Sequence, residues 1–186
     1  ARLGVGAFRL ADCDRFEVPN FNRQYGATLQ SIGKEKVEVM AEVVRQINPD
    51  VKLTLFHEGI TPSNCHEFVK GADIVLDGID FFALRTRRLL FKSAHDHGLC
   101  ALTSGPLGFG ATLHVFSPTG MSFDRYFDMR DGMSPIDELI AFMVGLAPRG
   151  LHLRYLDVNY INVARATGPS SGIACQLCSA LISVEA

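Results

Sequence analysis

The sequence predicts an α/β fold: a Rossmann-like, doubly wound, mostly parallel sheet with helices on both faces. Three observations carry that expectation. Strand-like and amphipathic helical segments alternate along the chain. The run 72–77 (ADIVLD) is short, apolar and β-branched, as in a strand buried on both faces. And the first strand-like run, 5–12 (VGAFRLAD), ends in Asp12, where dinucleotide-type folds place an acidic residue.

The elements follow in order. Residues 34–47 carry Val37, Met40, Val43, Val44 and Ile47 at helical spacing, and Asn48-Pro49 stops that helix. Residues 51–57 alternate as a strand. Thr61-Pro62 reads as a cap with proline at the first helical position, opening a helix to Lys70. After the strand at 72–77, a helix over 82–95 is ended by Gly98. Strands at 99–103 and 111–117 flank a loop, 104–110. Ser134-Pro135, with Asp137 and Glu138, opens a helix to about Leu146. Residues 148–171 are poorly patterned, and 172–186 form a helix rich in small residues. Residues 1–4 read as the last turn of a helix. The strand at 5–12 is therefore expected to be the second of its fold, with a strand, a glycine-rich turn and a helix ahead of it.

At 186 residues the chain suits one domain, 1–186. A net charge of −2 gives no general attraction to nucleic acid or to an anionic membrane. No apolar run approaches the ~18 residues of a membrane span, and 1–6 lack the pattern of a signal peptide. Five cysteines at irregular spacing argue against a disulfide framework and for a reducing compartment, so a cytoplasmic location is expected. Arg85-Thr86-Arg87-Arg88 reads as a solvated helix face rather than a polyanion site. Cys175 and Cys178 are half of a zinc site at most; at i, i+3 in an apolar helix they are expected to face the core, and no zinc is expected. The six histidines show no catalytic or metal-binding spacing.

The strongest chemical signal lies in 12–36. An acid at a strand end suits a ribose hydroxyl, Arg23 can fork hydrogen bonds onto a phosphate, and Lys36 in the first turn of the next helix adds a point charge. Each has a bland reading as turn former or surface charge. The order Asp12/Asp14, Asn20/Arg23/Gln24, Gly33/Lys36, Asn48/Pro49 and Asp77/Asp80, followed by the loop 104–110, resembles the ThiF/MoeB/HesA family, whose nucleotide domain is shared with the ubiquitin-activating enzymes. The resemblance covers residues 1 to about 116 and returns in the final helix.

That resemblance implies an ATP-dependent adenylyltransferase. Asp12 would contact the ribose; Asn20, Arg23, Lys36 and, more weakly, Gln24 would hold the triphosphate; Asp80 would bind Mg²⁺. Arg23 and Asp80 are the expected catalytic residues. The implied acceptor is the C-terminal carboxylate of a small ubiquitin-like or sulfur-carrier protein, as in molybdopterin or thiamine biosynthesis, and the implied assembly is a homodimer. The crossover and acceptor region would be 120–171. There Phe123, Tyr126, Phe127 and Met129 either line the acceptor surface or fill the core, with core preferred. The family's Gly-x-Gly-x-x-Gly loop is expected ahead of Ala1. Phe81 stands where the family has Asn, and the family's two Cys-x-x-Cys pairs are not present as a set. Alternative readings are adenylation of a small-molecule, nucleoside or peptide group, a non-catalytic partner subunit, and an NAD-dependent dehydrogenase. Asp12 suits the last, but Arg23, Lys36 and Asp80 would have no role in it.

Overall fold

Both parallel strand pairs in the computed structural model, which describes residues 1–155, 157–163 and 167–186, are closed by a helical crossover. The fold is α/β. The chain forms two units, Ala1–Phe68 and Val69–Ala186.

In the first unit β1 (Ala7–Ala11) lies parallel to β2 (Lys52–Phe56), with Ala7 opposite Lys52 and Ala11 opposite Phe56. Helix α1 (Lys36–Ile47) connects them and packs on both strands, burying Val37 and Ala41. It ends at Asn48, as the following proline requires. The long β1–α1 connection is tied at its base, where Phe16 N–H donates to the Lys34 carbonyl and Gly33 N–H to the Phe16 carbonyl, both at 2.9 Å. Gly33 turns there with φ +77°, a left-handed conformation that glycine adopts without strain. The Phe16 ring fills the interior of the connection, 2.7 Å from where a Cβ on Gly26 would stand. Helix α2 is Cys65–Val69, shorter than the expected 61–70. The Asn64 side chain accepts from Thr61 N–H and donates to the Gly59 carbonyl, holding 61–64 in a turn before the helix begins.

In the second unit β3 (Ile74–Asp77) runs parallel to β4 (Cys100–Thr103), and β4 pairs antiparallel with a later strand, His114–Phe116. Helix α3 (Leu84–Asp96) is the crossover, and Gly98, with φ +70°, ends it. The expected loop 104–110 contains a small hairpin, β5 (Pro106–Leu107) with β6 (Gly110–Ala111). The expected strand 111–117 is divided as a result: Thr112 closes the hairpin against Gly105, and only β7 (His114–Phe116) joins the sheet. A short helix α4 (Phe123–Tyr126), capped by Ser122, has no counterpart in the sequence reading. Helix α5 (Pro135–Leu146) starts where expected, with Ser134 accepting from Asp137 N–H. Helix α6 (Gly172–Glu185) is capped by Ser171.

Two expectations need correction. β3 is not buried on both faces: Val75 and Asp77 are buried, but Leu76, pointing to the other face, is 45 % exposed. The basic run is not a solvated face, because Arg87 is 4 % exposed and only Arg85 is open to water. Arg88 is caged by Asp124, Asp131 and Glu138, and its hydrogen bonds to Asp124 raise its pKa. Helix α6 buries its small-residue side, Ala174 and Cys178, and exposes Ile173, Leu177 and Leu181. Small side chains there allow it to lie against the β5–β6 hairpin. Phe123, Phe127 and Met129 are core residues, as preferred from the sequence, while Tyr126 is 41 % exposed.

The core of the second unit is aromatic. Phe91, Phe116, Phe123, Phe127 and Phe142 form a continuous cluster, with centroid separations of 4.6 Å for Phe91–Phe123 and 4.9 Å for Phe127–Phe142. No helix among the described residues is long and apolar enough to cross a membrane.

Gly145, inside α5, abuts this cluster, and a Cβ there would stand 2.3 Å from the buried Phe127 ring. Gly→Ala in a helix interior normally stabilises, by up to about 1 kcal/mol. Here overpacking should win, and Gly145→Ala is expected to destabilise the protein by about 1–3 kcal/mol in urea unfolding. A gain in stability would contradict the close approach of the Phe127 ring to α5.

Candidate functional site

β1 delivers Asp12 just beyond its last residue, where Asp12 N–H donates to the Phe56 carbonyl of β2. One carboxylate oxygen, Oδ1, accepts from Asp14 N–H at 2.9 Å, forming an Asx turn that aims the chain away from the sheet. Burial raises the Asp12 pKa above its ordinary value, with the Asp14 N–H and the charge of Lys36 acting in the opposite direction. Asp14 in turn anchors the start of α1. Its carbonyl accepts from Lys36 N–H at 2.9 Å, and its Oδ2 accepts from Lys36 Nζ at 2.9 Å.

Asn20 closes a 3-10 turn, Val18–Asn20, in which its Oδ1 accepts from Glu17 N–H at 3.0 Å and its own N–H meets Glu17 in return. Asn20 and Lys36 line one polar cleft of 180 Å³ with Asp14, Arg15 and Glu17. Arg23 follows the same turn, but its Nη1 donates to the Pro19 carbonyl (2.8 Å) and to Asn22 Oδ1 (2.9 Å). Gln24 is held by its backbone N–H on the Asn20 carbonyl. The structure thus brings Asp12, Asn20 and Lys36 around Asp14, with Arg23 and Gln24 on the adjoining turn. Arg15 and Glu17 were not foreseen as lining residues. Asp14 was read only as a motif position, although its place two residues after Asp12 was a usable signal.

Beside the cleft, Arg15 donates to Glu35 at 2.8 Å, and Glu35 also meets His57 Nδ1 at 2.8 Å. The hydrogen bond from His57 lowers the Glu35 pKa. Among the described residues, Glu35, Glu38 and His57 are the group whose donor atoms lie within 4.8 Å of one another, as a metal would need. They meet one another directly, with His57 Nδ1 2.8 Å from Glu35 and Nε2 3.5 Å from Glu38.

In the second unit, Asp80 is exposed in the loop after β3. Its Oδ1 accepts from Phe82 N–H at 2.9 Å. Asp77 is quite different: fully buried, it takes Ile79 N–H on Oδ1 and Arg87 Nε on Oδ2. Both of its oxygens are engaged by protein, and its side chain is closed off from solvent. Cys178 is buried and its thiol pKa is pushed up by that burial, whereas Cys175 is only partly covered. His114 stacks within the aromatic cluster, where burial lowers its pKa.

The raised pKa of Asp12 has a signed consequence. Its folded-state value lies above the unfolded value of about 3.9, so the stability it contributes is complete below that pH and is lost as pH rises through the folded value. Asp12→Asn, which cannot ionise, is therefore expected to melt with the wild type in acid and above it at pH 7. A variant less stable than wild type at pH 7 but not in acid would show that the charged carboxylate is favoured there.

The chain is similar to the tRNA threonylcarbamoyladenosine dehydratase of Escherichia coli, 37 % identical over 109 residues, which are 58 % of this chain and 40 % of that protein. A structure of that dehydratase in complex with ATP covers 56 % of this chain and 43 % of its own, with a TM-score of 0.52 and 36 % identity. The Escherichia coli sulfur carrier protein ThiS adenylyltransferase is 33 % identical over 118 residues, 63 % of this chain and 46 % of that protein. The structure of Escherichia coli MccB with MccA-N7isoASN shares the fold over 97 % of this chain and 48 % of its own, at a TM-score of 0.68 and 17 % identity. The chain spans about two fifths of the length of the dehydratases it matches. The ThiF family model matches residues 1–186, and the chain belongs to the ThiF family.

Proposed function

We propose that this chain provides ATP-binding residues of an adenylyltransferase that activates the C-terminal carboxylate of a small sulfur-carrier or ubiquitin-like protein. The observation that carries the reading is the polar cleft at the carboxyl end of β1, where Asn20 and Lys36 converge beside Asp12. Adenylation joins a carboxylate oxygen to the α-phosphorus of ATP as the bond to the β-phosphate breaks and pyrophosphate leaves. The protein needs no covalent nucleophile for this; it must align the groups and neutralise charge on the leaving group.

The residues suit those tasks. Asp12 accepts from Asp14 N–H through Oδ1, so Oδ2 is available for a ribose hydroxyl. Asn20 uses Oδ1 on Glu17 N–H, and its amide N–H groups can donate to a phosphate oxygen. The Lys36 ammonium gives one N–H to Asp14 and has two more for phosphate. Arg23 would turn its guanidinium from the Pro19 carbonyl onto the phosphates, and Gln24 adds a second amide on the same turn. Asp80 fits Mg²⁺: it is exposed, and one oxygen is already oriented by Phe82 N–H. A single carboxylate that shares the ion with phosphates is how Mg²⁺ usually binds, and the ion would offset charge on the pyrophosphate.

The exposed apolar stripe on α5, Ile136, Ile140 and Val144, supports assembly as a homodimer. A second reading is favoured by the 37 % identity to the tRNA threonylcarbamoyladenosine dehydratase. On it, the activated group belongs to a modified nucleoside in tRNA rather than to a protein tail.

Pyrophosphate–ATP exchange separates the possibilities. With the matching acceptor, Arg23→Ala is expected to slow exchange about 100-fold, as loss of a contact worth roughly 3 kcal/mol in the transition state would. Exchange unaffected by Arg23→Ala would remove the phosphate role of this turn. Exchange stimulated by modified tRNA and not by a carrier protein would select the second reading.

A further inference from the structure

Arg87 is the residue for which the proposed chemistry has no direct use, yet it is among the most completely buried charges in the second unit. It lies one turn after Leu84 and one turn before Phe91, on the inner face of α3. From there it reaches back to the loop that carries Asp80. Its Nε donates to Asp77 Oδ2 at 2.7 Å, and its Nη2 donates to the Ile79 carbonyl. The other oxygen of Asp77 accepts from Ile79 N–H at 2.9 Å. The carbonyl and the N–H of Ile79 are therefore both held by one ion pair, and the next residue is Asp80. Asp80 is fixed from its far side by Phe82 N–H on its carboxylate and Ala83 N–H on its carbonyl.

Burial of this pair is not explained by stability alone. Two charges removed from water gain little over apolar residues of the same volume. The fit is also incomplete as a structural link: Nη1 is buried without a partner among the described residues, and the guanidinium rests on the Phe142 ring, 4.7 Å from its centroid. What the pair does achieve is to fix the path of the turn from buried Asp77 to exposed Asp80, at the residue that precedes Asp80. A loop on a sheet edge would otherwise sample many orientations of that side chain.

We propose that Asp77 and Arg87 are positioning residues that hold the Asp80 carboxylate in the orientation for binding Mg²⁺. The proposal rests on the reading of Asp80 as the Mg²⁺ carboxylate. Groups that orient a metal ligand typically change metal affinity 10–100-fold when altered, without touching the ion. Arg87→Lys keeps the charge but cannot bridge Asp77 and the Ile79 carbonyl with one planar group. The double variant Asp77→Asn with Arg87→Gln removes both charges together, so no uncompensated buried charge is left to unfold the protein.

The test is Mn²⁺ binding, followed by electron paramagnetic resonance in the presence of a non-hydrolysable ATP analogue, with amide hydrogen exchange as a second readout. In the unmodified protein the Ile79 amide is expected to exchange far more slowly than that of exposed Gly78. In Arg87→Lys and in the double variant that protection is lost, and the Mn²⁺ dissociation constant rises about tenfold while nucleotide affinity at saturating Mg²⁺ is unchanged. Equal exchange at Gly78 and Ile79 in the unmodified protein would overturn the clamp. If Asp80→Asn weakens Mn²⁺ binding but the folded Arg87 variants bind as wild type, the positioning role fails and the Asp80 reading stands. If Asp80→Asn binds Mn²⁺ as wild type, the Asp80 reading itself fails and takes the proposal with it.

Discussion

Two parallel strands cannot be joined by a tight turn, so the chain must leave the sheet at one strand's carboxyl end and return to the start of the next through a crossover. That constraint acts twice here. In the first unit it brings the end of β1 and the start of α1 to the same edge, where Lys36 N–H meets the Asp14 carbonyl. In the second unit it sets the Asp77–Asp80 turn at the end of β3 beside the first turns of α3. The polar side chains decorate this arrangement more than they create it. The Asp14–Lys36 ion pair has one largely exposed partner and is worth at most about 1 kcal/mol. The burial of Val37 and Ala41 against the strands, each methylene worth roughly 0.8 kcal/mol, is what holds α1 in place.

The charge on the cleft then constrains how it can bind anything. Its lining has two carboxylates, Asp14 and Glu17, and two cations, Arg15 and Lys36, so it is formally balanced before any ligand arrives. Arg15 is further committed to Glu35. A triphosphate would not be drawn in by net positive potential, in keeping with a chain of charge −2. The proposed reading therefore rests on directed donors, the Asn20 amide and the N–H groups of Lys36 and Arg23, rather than on net charge. The half-buried Asp12, kept where ionising is unfavourable, fits a group selected for contact with a ligand rather than for stability.

How far the sequence was legible depended on the range of the interaction. Ser134-Pro135 announced α5 because a cap and an N-terminal proline are chosen within one turn of the chain. The strand read at 5–12 is observed at Ala7–Ala11, so Asp12 stands just beyond its end. The short α4 and the β5–β6 hairpin were missed, since elements of two to four residues carry no period to detect. The reading of Arg85-Thr86-Arg87-Arg88 as one solvated face fails at Arg87. Its spacing from Leu84 and Phe91 put it on the buried face, and that signal outweighs composition. The Glu35–His57 contact links α1 to the end of β2, a pairing that only the tertiary fold creates.

The central claim is that the connection between β1 and α1 holds the phosphates and ribose of ATP. Amide hydrogen exchange of the protein with and without Mg²⁺–ATP tests it most directly. Slower exchange confined to the Asp12–Asp14 turn, the Asn20–Gln24 turn and the first turn of α1 is the expected result. Tight ATP binding that leaves all three segments unchanged would contradict the account, because the nucleotide would then sit elsewhere on the chain.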